Sequence, residues 1–203
     1  MLDPTVIIFL VVAMVMVAVV LSLSVMQRLP ATRWARWFSL AGIAFLPLLA
    51  TGTTLRAGIQ ESSRTRFCLS CHEMQDHGKS LFADDRKTLP AVHYQNRLVD
   101  RDTSCYSCHT DYALFGDVKA KMNGLRHVWV HYVGTVPKKF ALYQPYANRN
   151  CLHCHEDARR FAEALPHQPV AAQLRAGSLS CLSCHNAGHN LAAVAEGRLW
   201  LGQ

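Results

Sequence analysis

The sequence predicts a mostly α-helical protein with much irregular coil. An N-terminal transmembrane helical hairpin leads into a compact domain of short helices and coil with no conventional apolar core. Three observations predict it. Two stretches, Val6 to Met26 and Trp37 to Leu55, carry no charge and are long enough to cross a bilayer as helices. All eight cysteines fall in four copies of one pattern, Cys-x-x-Cys-His. No segment sustains the period-two alternation of a strand, and Pro90, Pro137, Pro145, Pro166 and Pro169 interrupt the C-terminal part.

The first apolar run begins Met1-Leu2-Asp3-Pro4, without a basic residue. It is longer than the apolar region of a secretory signal peptide, so it reads as a retained helix. The second run contains Gly42, Pro47 and Gly52, which membrane helices tolerate. Between them Arg28, Arg33 and Arg36 stand without an acid. The positive-inside rule makes this loop, 27–36, cytoplasmic and sends the rest of the chain to the periplasmic face of a bacterial cytoplasmic membrane. Trp34 and Trp37 fall where an interfacial aromatic belt lies. The expected division is an anchor over 1–56, with helices at about 6–26 and 37–55, and a periplasmic domain over 57–203.

The motifs are Cys68-Leu-Ser-Cys71-His72, Cys105-Tyr-Ser-Cys108-His109, Cys151-Leu-His-Cys154-His155 and Cys181-Leu-Ser-Cys184-His185. Their spacing is too irregular for a solenoid repeat. Cys-x-x-C-H is the attachment signal of c-type haem: two thiols add to the two vinyl groups, and the histidine sits under the ring. A four-thiolate zinc site would use two Cys-x-x-Cys pairs, but it has no need of a histidine after each pair, nor of export. A disulfide framework would have to close Cys i on Cys i+3 every time, which fits poorly. Four covalent haems therefore supply the apolar interior that so short a chain lacks. Short helices are expected at Asp117 to Tyr132, Glu156 to Leu165 and Val170 to Ala176.

Seven histidines lie outside the motif position: His77, His93, His127, His131, His153, His167 and His189. Low-spin haem takes a second strong axial ligand. His93, His167 and His189 are the candidates by context, with His189 serving a haem other than that of His185. His153 is constrained inside its motif, and His77 reads as exposed. Met74 follows His72 by two residues. It reads either as an iron ligand, which would raise the potential, or as a methionine packed beside the porphyrin.

With these residues in hand, the chain resembles the NapC/NirT/NrfH family of membrane-anchored tetrahaem cytochromes c, which are quinol dehydrogenases. The resemblance covers roughly Trp34 to His189. It rests on Phe67 through Met74, on His93-Tyr94-Gln95-Asn96-Arg97, on Lys119-Ala120-Lys121 with Val128-Trp129, on His167-Gln168, and on Cys184-His185 through His189. It implies that Met74, rather than His72, ligates the haem nearest the membrane. It implies that His109, His155 and His185 ligate the other three, with His93, His167 and His189 as distal ligands. A quinol site would lie beside the first haem, with Lys121 matching a family lysine. Two departures stand out. The family helix matches Trp37–Leu55, so the Val6–Met26 helix is extra and suits docking to a membrane complex. His127 stands where the family has an acid, and so suits either a sixth ligand of the first iron or the acceptor of the quinol proton. Asp84 and Asp85 are weaker candidates for that proton.

The expected function is transfer of electrons from membrane quinol through a chain of haems to a periplasmic reductase, oxidase or soluble cytochrome. Alternatives are an electron-conducting subunit that does not touch quinol, and the same path run in reverse as a quinone reductase. Small-molecule reductase chemistry needs an open iron face, which the supply of histidines argues against. The formal charge of +7 would ordinarily suggest nucleic acid. Four ferric haems, each with two propionates and one compensating positive charge at the ring centre, add about −4, which cancels most of the formal +5 carried from Ser62 onward and excludes that partner.

Overall fold

The computed structural model describes residues 4–26, 32–137, 141–185 and 188–201. The chain divides into two compact units, Met1–Ser62 and Ser63–Gln203. Residues 27–31 of the predicted loop, Arg28 among them, lie outside the described residues.

In the first unit, α1 spans Pro4–Met26 and α2 spans Arg33–Glu61. Among the described residues α2 is the one helix long and apolar enough to cross a membrane, and Val12–Val25 of α1 is a shorter apolar stretch. Thr32 starts α2, its Oγ1 accepting the Ala35 N–H at 3.3 Å, which satisfies one orphan donor of the first turn. Pro47 has no N–H to give, and just before it the helix widens into a π turn over Ala41–Phe45. There the Leu46 N–H reaches the Ala41 carbonyl five residues back, as happens where a ladder is interrupted. Ser39 and Thr53 return their hydroxyls to carbonyls of the preceding turn at 2.7 and 3.0 Å, so neither leaves a polar group bare in an apolar helix. Gly42 is buried against Ser22 of α1; a Cβ there would come within 2.3 Å of Ser22 Oγ. This is close packing of the small-residue kind that apolar helices use. The sequence reading ended the anchor at Arg56, whereas the helix itself runs on to Glu61.

The second unit is a succession of short helices: α3 Thr65–Cys68, α4 Gln75–Lys79, α5 Leu89–Gln95, α6 Ser104–His109, α7 Gly116–Tyr132, α8 Arg149–His155, α9 Arg159–Ala162, α10 Ala171–Ala176 and α11 Leu191–Ala195. Only an isolated bridge, Ala83 to Leu199, pairs extended backbone among the described residues. The expected helix at Glu156–Leu165 is replaced by α8, which contains the third motif, and by α9 after a turn. α8 begins early because Asn148 anchors its start from outside the helix, as described below. The apolar core is slight: Ala83, Ala91 and Ala193 form one cluster, and Leu152, Phe161 and Leu174 another.

Candidate haem-binding site

The four motifs lie on or beside short helical turns. α6 and α8 carry the second and third motifs whole, so cysteines at i and i+3 share a face and both thiols reach one edge of a ring. α3 ends at Cys68, and a 3₁₀ turn over His72–Met74 completes the first motif. The fourth begins a 3₁₀ turn at Cys181, whose first turn is capped by Ser180 Oγ accepting from Leu182 N at 3.2 Å. No two of the eight cysteines are bonded to each other; Cys71, Cys154 and Cys184 are exposed and the rest half-buried.

Polar clamps join the motifs in chain order. Thr65 donates to the Arg101 carbonyl at 2.8 Å and shares a hydrogen bond with Ser104 Oγ at 3.0 Å, joining the first motif to the second. There the Cys68 thiol hydrogen-bonds Cys105, holding Cys105 down at about 6 and pushing Cys68 up. The second motif meets the third through a two-point ion pair of Arg149 with Asp111, Nη2 to Oδ2 at 2.7 Å. Asn150 Nδ2 adds a bond to the Thr110 carbonyl at 2.9 Å, and the Tyr146 hydroxyl one to the Cys108 carbonyl at 2.5 Å. Gly116 makes room for this clamp, since any Cβ there would overlap the Asp111 carbonyl. The third meets the fourth through buried Asn148. Its Nδ2 donates to the Leu174 and Leu179 carbonyls at 2.8 and 2.6 Å, and its Oδ1 accepts the Cys181 N–H at 2.9 Å.

The motif histidines meet the outlying ones in pairs. Ring centroids lie 6.1 Å apart for His109 and His189, 6.0 Å for His155 and His93, and 6.1 Å for His185 and His167. Two imidazoles on opposite sides of one metal, at metal–nitrogen bonds of about 2 Å, have centroids about 6 Å apart. Each outlying ring has its Nδ1 already engaged: His93 with the Leu89 carbonyl at 2.8 Å, His167 with the Phe161 carbonyl at 3.1 Å, and His189 with Ser80 Oγ at 2.6 Å. Such a partner fixes the tautomer and presents Nε2 to a metal. Burial lowers the pKa of His109 and His155, and holds His189 at about 4, so all three are neutral at pH 7, the metal-binding form. The donor set therefore fits haem c: paired thiols on one helical face and a second imidazole about 6 Å from the motif histidine.

The first motif has different company. His72, exposed, lies 5.9 Å from the His131 ring, and Glu73 stands between them, Oε1 at 3.4 Å from His72 Nε2 and 2.6 Å from His131 Nδ1. Met74 is half-buried in the same turn. Lys121 lies alongside, its ammonium 2.9 Å from Ser63 Oγ and 4.2 Å from the Tyr106 ring centroid, its pKa lowered by burial. His127 has its Nδ1 3.2 Å from the Tyr143 hydroxyl; burial and then Arg126 lower its pKa. Asp85 accepts from Lys87 N, Thr88 Oγ1 and Asn190 Nδ2 at 2.9, 2.9 and 3.1 Å, which depresses its pKa and uses its oxygens up as a cap. Asp84 is exposed beside it, its N–H on the Arg198 carbonyl at 3.1 Å. Two residues that sequence reasoning left aside enter the site: His131, and His77, whose ring stands edge-on to His189 at 5.1 Å. The position of His131 one helical turn after His127 was the available signal.

Residues 29–194 match the model of the NapC/NirT cytochrome c family, N-terminal region. Among curated relatives, the cytochrome c-type protein TorC of Escherichia coli K12 is 26% identical over 191 residues, covering 84% of this chain and 46% of TorC. NapC of Paracoccus pantotrophus is 25% identical over 144 residues, 63% of this chain and 58% of NapC. NapC of Escherichia coli K12 is 23% identical over 190 residues, 80% and 90% of the two chains. The chain thus spans about half the length of the first two. No solved structure matches it.

Proposed function

The chain belongs to the NapC/NirT cytochrome c family, and from that premise we propose that it carries electrons from membrane quinol to a redox partner in the periplasm through four covalently bound haems. The observation that carries this reading is the set of three histidine pairs at about 6 Å, one on each of the last three motifs. When bound, haem c supplies one-electron redox centres that the polypeptide cannot provide.

The chain's own residues do the rest. Cys68 and Cys71, Cys105 and Cys108, Cys151 and Cys154, and Cys181 and Cys184 hold one group each. His109 with His189, His155 with His93, and His185 with His167 would hold three irons, and Met74 would hold the fourth. The clamps keep successive groups close, in the order one to four. Quinol binds beside the first motif, oriented by the Lys121 ammonium. His127, neutral at pH 7, accepts a quinol proton; Asp85, with its oxygens committed to a cap, is unsuited to that task. The anchor is α2 together with α1, and the haem domain faces the periplasm.

A second reading, conduction between proteins without quinol chemistry, is favoured by one observation: His127 packs on Tyr143, while it is His131 that reaches the first motif. Full-length holoprotein in lipid nanodiscs, mixed with a menaquinol analogue, separates the two. Reduction of the haem absorption bands within the mixing experiment supports quinol oxidation. Absence of reduction, in a protein that dithionite still reduces, overturns it and leaves the second reading.

A further inference from the structure

We propose that α7 is a membrane-surface helix that lays an apolar stripe into the headgroup boundary of an anionic bilayer. Val118, Met122, Leu125, Trp129 and Tyr132 repeat at spacings of four and three residues, and all are between 58% and 79% exposed. At 3.6 residues per turn they share one face. The opposite face holds Gly116, Ala120, Asn123 and Val130, the buried or half-buried positions that pack on the domain. The stripe therefore points away from that packed face. Leu114, Phe115 and Val133, also exposed, extend it at both ends.

The chemistry of the flanks chooses the occupant. Trp129 and Tyr132 are the aromatics that favour a bilayer interface, and the stripe is bordered by Arg126, which keeps its charge while stacked on Tyr143, and by Lys119, which is half-exposed and paired with Asp111. Two copies meeting along this stripe would bring Lys119 and Arg126 against their own kind, whereas anionic phosphates complement them. The location agrees. Lys121, at the edge of the stripe, hydrogen-bonds Ser63, the residue that directly follows the anchor unit. The inference rests on reading Arg33–Glu61 as a membrane anchor.

Holoprotein in nanodiscs of phosphatidylglycerol and phosphatidylethanolamine, with a diazirine on a phospholipid acyl chain, tests it by peptide mapping after photolysis. A parallel sample receives hydroxyl radicals, to which Met122, Trp129 and Tyr132 are reactive. The expected result is carbene label on the Val118–Tyr132 segment as well as on Arg33–Glu61. Oxidation of the three stripe residues should be at least fivefold lower than in lipid-free detergent-diluted protein. Leu125→Asp should cut the label on α7 at least threefold and leave that on Arg33–Glu61 unchanged. Label on Arg33–Glu61 alone, with free oxidation of α7, overturns the proposal and spares the anchor. Protection from both probes means that protein covers the stripe, and also overturns it. No label on either segment overturns the anchor reading and the proposal with it.

Discussion

At the scale of the residue, one side chain repeatedly decides where two motifs meet. Buried Asn148 satisfies three backbone groups from two other segments. Asn148→Ala leaves them unpaired in a buried place, and should cost about 2–4 kcal/mol, read as a lowered midpoint of thermal unfolding in the holoprotein. The histidine pairs make a sharper prediction. His167→Ala should convert one haem to a high-spin signal in low-temperature electron paramagnetic resonance, and so should His93→Ala. The spectrum of the double variant should show two such haems. If both variants perturb the same haem, the pairing is wrong. The motif cysteines stand out in the sequence because their pattern is local. Which outlying histidine comes near which motif was not legible, because the approach of His189 to His109 is made by the path of the chain and not by spacing.

At the scale of the element, the short helices are set by caps and clamps more than by apolar periodicity. That is why α7 was foreseen nearly to its ends while α8 was not: α7 has a clear apolar repeat, whereas α8 starts where Asn148 and Arg149 are held by distant segments. Asp111 secures Arg149 in α8 and Lys119 in α7 together. Asp111→Asn should therefore lower stability by about 1 kcal/mol, and the loss should shrink in high salt because the pairs are partly exposed. In the anchor, Gly42→Leu would force a side chain into Ser22 of α1. Overpacking of this kind costs about 1–3 kcal/mol, and the expected readout is separation of α1 from α2 at a lower detergent denaturant concentration, followed by helix–helix crosslinking. The π turn of α2 was not legible: in the sequence Pro47 reads only as a residue that membrane helices tolerate, and the backbone shows the turn widening just before it.

At the scale of the molecule, the buried apolar side chains of the second unit are few and small. A domain of this size needs more interior than that to offset the entropy of ordering its chain. Replacing the eight cysteines by serine, so that no haem is attached, should leave the domain without cooperative unfolding by circular dichroism, even where the anchor still inserts. Retention of a sharp transition would mean that the polypeptide alone suffices. The class of the fold was legible because the anchor and the motifs are each continuous in sequence. The exposed stripe on α7 was not singled out, since an apolar repeat in a helix reads equally as an inward face until the packing shows which side is turned to the domain.

The pairing of His189 with His109 carries a consequence for how the protein is made. A chain threaded out of the cytoplasm delivers its segments from first to last. Each clamp joins a motif to the one just before it, so assembly can follow delivery step by step for most of its course. The second site is the exception. Its thiols emerge early, but its closing imidazole belongs to nearly the last segment to arrive. On the proposed relay, that centre stays incomplete until then, and a truncated product of translation or proteolysis would carry the defect at the second position. Biogenesis thus ends with a built-in proof of completeness, and a chain ended before His189 should show one high-spin haem and a break in conduction while its third and fourth centres look normal.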